Sequence, residues 1–136
     1  MIRLLTLEKR VQLKSHVFLF QSRFFEKEFP PEVREFENLI LVEAVGRDRD
    51  ASLMKMREAM IGSHDFAAGI FIGGMEGVEK EYELFRRMHP KKPAFPIAST
   101  GAAARILFDN FEHNRQELLN DLRYLHLFRR LLGVKE

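Results

Sequence analysis

Four short apolar runs punctuate the chain: HVFLF (His16 to Phe20), LILVEAV (Leu39 to Val45), GIFIG (Gly69 to Gly73) and AFPIA (Ala94 to Ala98). They are nearly continuous instead of alternating and rich in Ile, Val and Phe, the pattern of strands buried on both faces of a parallel sheet. Between them the periodicity turns helical. The first connection, FPPEVREFEN, leaves room for at most a short helix. The second, DASLMKMREAMIG, puts Leu53, Met56 and Met60 on one face and meets Gly62 as a C-cap. The third, Val78 to His89, carries Val78, Tyr82 and Phe85 on one stripe and stops before Pro90. A fourth helical segment, GAAARILFDNF, follows the last run. Strands alternating with helices of this length predict an α/β fold: a Rossmann-like open parallel sheet of about four strands with helices on both faces. There is no internal repeat, low-complexity tract or linker, so residues 1–136 read as one domain.

The C-terminal segment NRQELLNDLRYLHLFRRLLG predicts one long helix capped by Gly133. Its apolar residues (Leu118, Leu119, Leu122, Leu125, Phe128, Leu131 and Leu132) cover more than a one-sided stripe. Two readings follow. Either the domain buries this helix on itself, or part of its surface makes a homodimer contact.

Composition narrows the function classes. With 46% hydrophobic and 31% charged residues the chain fits one globular domain with a real core. Basic residues number 22 against 20 acidic ones and are spread along the chain, so the pI near 9 marks a small excess, not a basic patch, and nucleic acid is not the expected partner. Zero cysteines exclude disulfides and thiolate metal sites. The N-terminal MIRLLTLEKRVQLKSH is broken by Arg3, Glu8, Lys9 and Arg10 and lacks the apolar core of a signal peptide. No apolar run approaches the ~20 residues of a membrane span. The expectation is a soluble, cytoplasmic protein without membrane contact. The five histidines (His16, His64, His89, His113, His126) have no metal-ligand spacing, and no serine sits in a nucleophile elbow, so neither a metal nor a cofactor is expected.

The stretch GIFIGGMEGVEKEYELF carries the main candidate site. A strand, a glycine turn and a helix N-terminus make a natural anion site, because the first helical turn leaves N–H groups unpaired. Gly73, Gly74 and Gly77 would let the backbone approach a phosphate, with Met75, Glu76 and Val78 supplying the remaining amides. The spacing is neither a Walker loop nor the GxGxxG of the dinucleotide fold, so a plain structural turn is the competing account. Glu81 falls between Val78 and Phe85 on the helical wheel, inside the apolar stripe. A carboxylate there costs several kcal/mol unless paired, and the helix N-terminus returns only about 0.3–1 kcal/mol. Arg57, between Leu53 and Met60 on the preceding helix, is the candidate partner. The pair reads either as a structural ion pair or as part of a ligand cleft at the carboxyl ends of the strands.

These residues resemble the SLOG superfamily of Rossmann-like nucleotide-binding domains, over roughly Arg49 to Ala104. The LOG phosphoribohydrolases of that superfamily, long mislabelled lysine decarboxylases, carry a helix MxxRKxxM followed by a strand and the loop PGGxGTxxE. Their Arg and Glu cleave the N-glycosidic bond of a nucleoside monophosphate. Met54 and Arg57 match the helix, Gly73, Gly74 and Gly77 the loop glycines, and Glu81 the final Glu. The resemblance thus makes Arg57 and Glu81 the catalytic pair of a nucleoside 5'-monophosphate phosphoribohydrolase, if the chain is an enzyme. The departures are specific: Glu58 replaces the Lys, Ile72 the Pro and Val78 the Thr, and one extra residue (Met75 and Glu76) separates the glycine pair from Gly77. They are similar to the non-catalytic SLOG branches that sense nucleotide-derived ligands in bacterial conflict systems and TRPM channels. The resemblance therefore implies a nucleotide or nucleotide-derived ligand bound without turnover. A degenerate domain serving oligomerisation is a further alternative.

Other segments add contacts to this expectation. ASTGAAA places Ser99, Thr100 and Gly101 where a strand meets a helix, as an N-cap or a second phosphate or ribose site. QSRFF ends a strand with Gln21 and Ser22, small polar groups where a ligand edge would lie. GRDRDASL offers Asp50 as an N-cap, with Arg47 and Arg49 as phosphate partners or solvated charges. Complete SLOG domains usually open with a strand and a glycine-containing loop, whereas this sequence has no glycine before Gly46, as expected of an N-terminally shortened form or of one whose first strand comes from elsewhere.

Overall fold

The structure, a computed structural model, describes residues 16–134. The N-terminal segment up to Ser15 lies outside the described residues, and with it most of the stretch weighed as a signal peptide. The chain divides into two compact units, residues 1–60 and 61–136.

In the first unit, β1 (Phe18–Ser22) and β2 (Asn38–Val42) pair in parallel, with Phe18 opposite Asn38 and Ser22 opposite Val42. Their crossover holds two 3₁₀ turns, Arg23–Glu28 and Pro31–Glu35, consistent with a connection too proline-rich for a full helix. β2 ends three residues before the apolar run does, and the exposed Glu43 that follows it pairs with Arg23 (2.7 Å). Helix α1 (Arg49–Ile61) follows. Its N-cap is Asp48, not Asp50: Asp48 Oδ1 accepts from the Ala51 N–H at 3.0 Å. Asp50 instead sits one residue inside the helix, exposed and paired with Arg49 at 3.3 Å. Fully buried Ser52 secures the entry, donating to the Asp48 carbonyl and accepting from the Val45 N–H.

In the second unit, β3 (Gly69–Ile72) and β4 (Ala94–Ile97) pair in parallel, from Gly69 opposite Ala94 to Ile72 opposite Ile97. Helices cover both faces of this pair. On one, α2 (Glu76–Met88) brings Tyr82 and Phe85 edge-on to Phe71. On the other, Phe95, Ile97, Phe108, Leu118 and Leu127 form a buried cluster flanked by Ile70, Tyr124 and Phe128. After β4 come a 3₁₀ turn (Ala98–Thr100), α3 (Ala102–Leu107), a π turn (Phe108–Glu112), α4 (Glu117–Asn120) and α5 (Tyr124–Leu131). The α/β class and parallel pairing hold. Among the described residues, however, the strands join as two two-stranded sheets where the sequence predicts about four in one.

Two helix ends differ from expectation. Gly62 follows α1 without a left-handed φ. The Ile61 carbonyl is satisfied instead by His89, whose Nε2–H donates to it at 2.7 Å. The single long C-terminal helix is also absent. Asp121 adopts an extended φ/ψ after Asn120, and its carboxylate accepts from the Arg123 N–H (3.0 Å) and from Arg130 Nη2 (3.2 Å). A side chain that bonds the backbone two residues on competes with the helix and splits it. The apolar residues of the segment divide accordingly: Leu118 and Leu127 are fully buried, whereas Leu122, Leu125 and Leu132 are exposed. Gly133 does cap α5, at φ +65°, with its N–H on the Arg130 carbonyl and the Val134 N–H on the Arg129 carbonyl. No helix among the described residues is long and apolar enough to cross a membrane.

Candidate functional site

Because Ile72 lies opposite Ile97, the turns after β3 and β4 leave the sheet side by side. Both are left-handed. Gly73 and Gly74 have φ of +53° and +79°, and Gly101 and Ala102 have +75° and +50°. Gly101, with ψ −163°, occupies a region essentially reserved for glycine, and Ala102 is the one non-glycine residue with positive φ among those described. The two turns interlock. The Gly73 N–H donates to Thr100 Oγ1 (2.7 Å), while the N–H groups of Ala104 and Ala103 donate to the carbonyls of Gly73 (3.1 Å) and Gly74 (3.2 Å). Thr100 Oγ1 also donates to the Ile97 carbonyl.

This interlock redistributes the predicted roles. The N-terminus of α3, expected as a second anion site, has two of its amides committed to the glycine carbonyls. The Thr100 hydroxyl is engaged on both its donor and acceptor sides. Ser99 Oγ lies 3.2 Å from the Tyr124 hydroxyl. Gly74 is required by packing: a Cβ there would come within 2.1 Å of Val78 Cγ2. The close approach that glycine permits is thus filled by α2 of the same chain. What the turn leaves over are the N–H groups of Gly74, Met75 and Gly77, none of which donates to another described residue, whereas the Val78 N–H bonds the Met75 carbonyl. Met75, at the N-cap position of α2 without a capping side chain, is 83% exposed. The first turn of α2 already holds Glu76 and Glu79, and Glu76 pairs with Lys80 at 2.7 Å. Glu81 is half-buried one turn further on, as its place in the apolar stripe predicts.

In the first unit the candidate residues are committed unevenly. Ser22 is buried and accepts from the Phe24 N–H at 3.3 Å, capping a 3₁₀ turn, so its hydroxyl serves the backbone. Gln21 is half-buried in β1. Arg49 lies over the Phe25 ring at 5.8 Å and pairs with Asp50, while Arg47 is exposed. Arg57 is half-buried on α1.

One polar group went unremarked in the sequence. Tyr82, placed in the apolar stripe of α2, is 2% exposed, and its hydroxyl is the one buried side-chain polar atom without a hydrogen-bond partner among the described residues. Burial raises its pKa, the Glu112 carboxylate adds to the effect, and Arg86 opposes it. Phe111, in the π turn, stacks on its ring at 5.6 Å. The only sequence signal was a phenol where periodicity demands a hydrocarbon. The described residues contain no group of three or more metal-ligating side chains.

Comparison with family models bears on this geometry directly: the model of the SLOG cluster3 family matches residues 1–132. The chain belongs to that family. The match extends over nearly the whole chain, well beyond the Arg49 to Ala104 segment in which the resemblance is visible by eye. None of the curated proteins and none of the solved structures matches it. Within this SLOG domain, the interlocked turns occupy the carboxyl ends of parallel strands, where open α/β sheets take their ligands.

Proposed function

We propose that this SLOG domain binds a nucleotide or nucleotide-derived ligand and does not turn it over. The observation that carries the reading is the set of N–H groups on Gly74, Met75 and Gly77, unspent within the described residues and grouped at the left-handed turn where β3 gives way to α2. Successive backbone amides in such a turn form an anion-binding concavity, and the N-terminus of α2 adds its partial positive charge. Phosphate belongs on these three amides and not on those of Gly73 and Val78, which already have acceptors. Within the same unit, ribose or base contacts fall to Glu81, with Ser99 and Gly101 as further polar groups. The absence of turnover rests on Val78, which stands where the phosphoribohydrolases carry a threonine hydroxyl.

A thermal-shift screen of nucleotides, cyclic nucleotides and ADP-ribose derivatives on the full chain tests this, since a ligand that favours the folded state raises the melting temperature by mass action. The expected result is a ligand-specific rise that is lost in Gly77→Pro, which removes one of the three amides in the first turn of α2, where no intrahelical hydrogen bond is lost with it. No rise with any compound would end the nucleotide reading. Free base released from a bound nucleotide, and not released by Glu81→Gln, would replace it with the phosphoribohydrolase reading. Self-association through exposed Leu122, Leu125 and Leu132 is a separate proposal, and a monomer mass by light scattering at micromolar concentration would refute it.

A further inference from the structure

We infer that Thr100 is the positioning residue of the glycine turn: its hydroxyl holds Gly73, and through Gly73 it sets the direction of the N–H groups of Gly74, Met75 and Gly77. The inference rests on the nucleotide reading for its functional half and on geometry alone for its structural half. Thr100 Oγ1 has one proton, and the Ile97 carbonyl takes it. The oxygen therefore presents only lone pairs to the Gly73 N–H, 2.7 Å away. The bond spans 27 residues of sequence, yet it is short in space because Ile72 and Ile97, which precede the two turns, are register partners.

The turn needs such an anchor. Gly73 and Gly74 are consecutive glycines at positive φ, and glycine pairs cross between backbone wells at little cost, so side-chain packing cannot fix their conformation. Their carbonyls are held by the Ala104 and Ala103 N–H groups. The Gly73 N–H is the remaining handle, and Thr100 is the side chain that takes it. A ligand oxygen on Gly74, Met75 or Gly77 then meets amides that are already oriented, with the ordering cost met by the fold itself. Thr100 thus acts on the ligand through Gly73 and touches none of it.

The experiment uses the ¹⁵N-labelled full chain as wild type, Thr100→Val and Thr100→Ser. Hydrogen exchange of the Gly73 amide is read by NMR alongside a titration with AMP, and the exchange of Leu127, in the buried cluster, reports whether each variant is folded. Valine preserves shape and removes the acceptor, so Gly73 exchange should speed on the order of tenfold, the loss of one hydrogen bond, with Leu127 unchanged. AMP affinity should fall with it, and serine should restore both. Unchanged Gly73 exchange in folded Thr100→Val would overturn the inference. Faster exchange with unaltered AMP affinity would overturn its functional half. If wild type binds no AMP while Gly73 exchange still responds to valine and is rescued by serine, the anchor stands and the nucleotide reading loses AMP as its ligand. Should Thr100→Val lose Leu127 protection, Thr100→Ser against Thr100→Ala makes the same comparison.

Discussion

Gly73 and Gly74 are adjacent, share a left-handed backbone and look interchangeable in sequence, but the structure separates them energetically. At Gly73 (φ +53°) a Cβ would find nothing closer than the Thr100 carbonyl oxygen at 3.8 Å, so Gly73→Ala carries the backbone cost alone. That cost is about 1–2 kcal/mol for an L-residue with a Cβ in the left-handed region. At Gly74 (φ +79°) the same backbone cost applies, and in addition the Cβ would lie 2.1 Å from Val78 Cγ2 and 2.9 Å from Val78 Cβ. Carbon contacts optimise at about 3.5–4.0 Å, so strand and helix must move apart by about 1.4 Å or Val78 must leave its rotamer. Overpacking of this kind costs about 1–3 kcal/mol, which brings Gly74→Ala to about 2–5 kcal/mol. Against a total of about 5–15 kcal/mol for a typical domain, that is a large fraction.

The assay is urea unfolding of the full chain followed by circular dichroism, with Gly73→Ala, Gly74→Ala, Val78→Ala and the Gly74→Ala/Val78→Ala double variant. Truncating Val78 removes the 2.1 Å contact and leaves the backbone cost and the 2.9 Å approach to Cβ, so the double variant should be more stable than the sum of the single changes by about 1–2 kcal/mol. Equal losses for Gly73→Ala and Gly74→Ala, or a cycle additive within about 0.5 kcal/mol, would refute the claim that Gly74 is there for the packing of α2.

Two further predictions concern single groups. Tyr82→Phe should be neutral or should stabilise the domain by up to about 1 kcal/mol, because the hydroxyl it removes is buried without a partner. It should also remove a pH dependence. Tyr82 has its pKa raised above 10.0 in the fold, so the unfolded chain releases that proton first and stability falls as pH rises past 10.0; thermal melts of both proteins across that range check this, and a clear destabilisation at neutral pH would mean that the hydroxyl has a hydrogen-bond partner, with the Arg86 guanidinium the nearest candidate. Asp121 runs the other way. The Arg123 backbone N–H, then the Arg123 and Arg130 side chains, hold its carboxyl below the ordinary 3.8, so its contribution is present above that value and is lost as pH falls through the lower folded pKa. Asp121→Asn should flatten the acid limb of the stability profile, and an unchanged limb would show that the carboxylate charge does not secure the break between α4 and α5.

The sequence made legible those features that depend on local pattern. All four apolar runs became strands within three residues of their predicted positions, and α2 ends at Met88, before Pro90, as expected. Gly133 closes α5 because a left-handed C-cap is a local event. What failed depended on side chains meeting the backbone or on groups distant in sequence. Asp121 reads as an ordinary polar residue of an amphipathic helix until its carboxylate is seen on the Arg123 N–H. Gly62 reads as a C-cap until His89, 27 residues on, supplies the hydrogen bond in its place. Asp48 and Asp50 are equally good N-caps by composition, and only the bridge between Val45 and Asp48 selects the first. The candidate site divides in the same way: its glycines and Glu81 were visible, but the partnership of Thr100 with Gly73 was not, because periodicity does not report which two turns are neighbours.

That partnership changes what the glycine signature means in this chain. Read alone, three glycines between a strand and a helix suggest a loop emptied of side chains so that a phosphate can come close. Here the space beside Gly74 is filled by Val78, the Gly73 amide by Thr100, and the carbonyls of both by Ala103 and Ala104. The glycines first allow two turns and a helix of the same domain to pack at short distance, and only the amides of Gly74, Met75 and Gly77 are left without an acceptor among the described residues. The acidic first turn of α2 sharpens the consequence. Glu76 and Glu79 already satisfy the helix dipole and repel an anion, which Lys80 offsets only for Glu76. A ligand whose phosphates each carry one negative charge, such as a diester or a sugar-bridged pyrophosphate, would suffer less from those carboxylates than a terminal phosphate dianion would. In the proposed screen, cyclic nucleotides and ADP-ribose derivatives should therefore outrank nucleoside monophosphates. The reverse order, with the same ranking retained in Glu76→Gln and Glu79→Gln, would mean that the carboxylates of α2 do not face the bound phosphate.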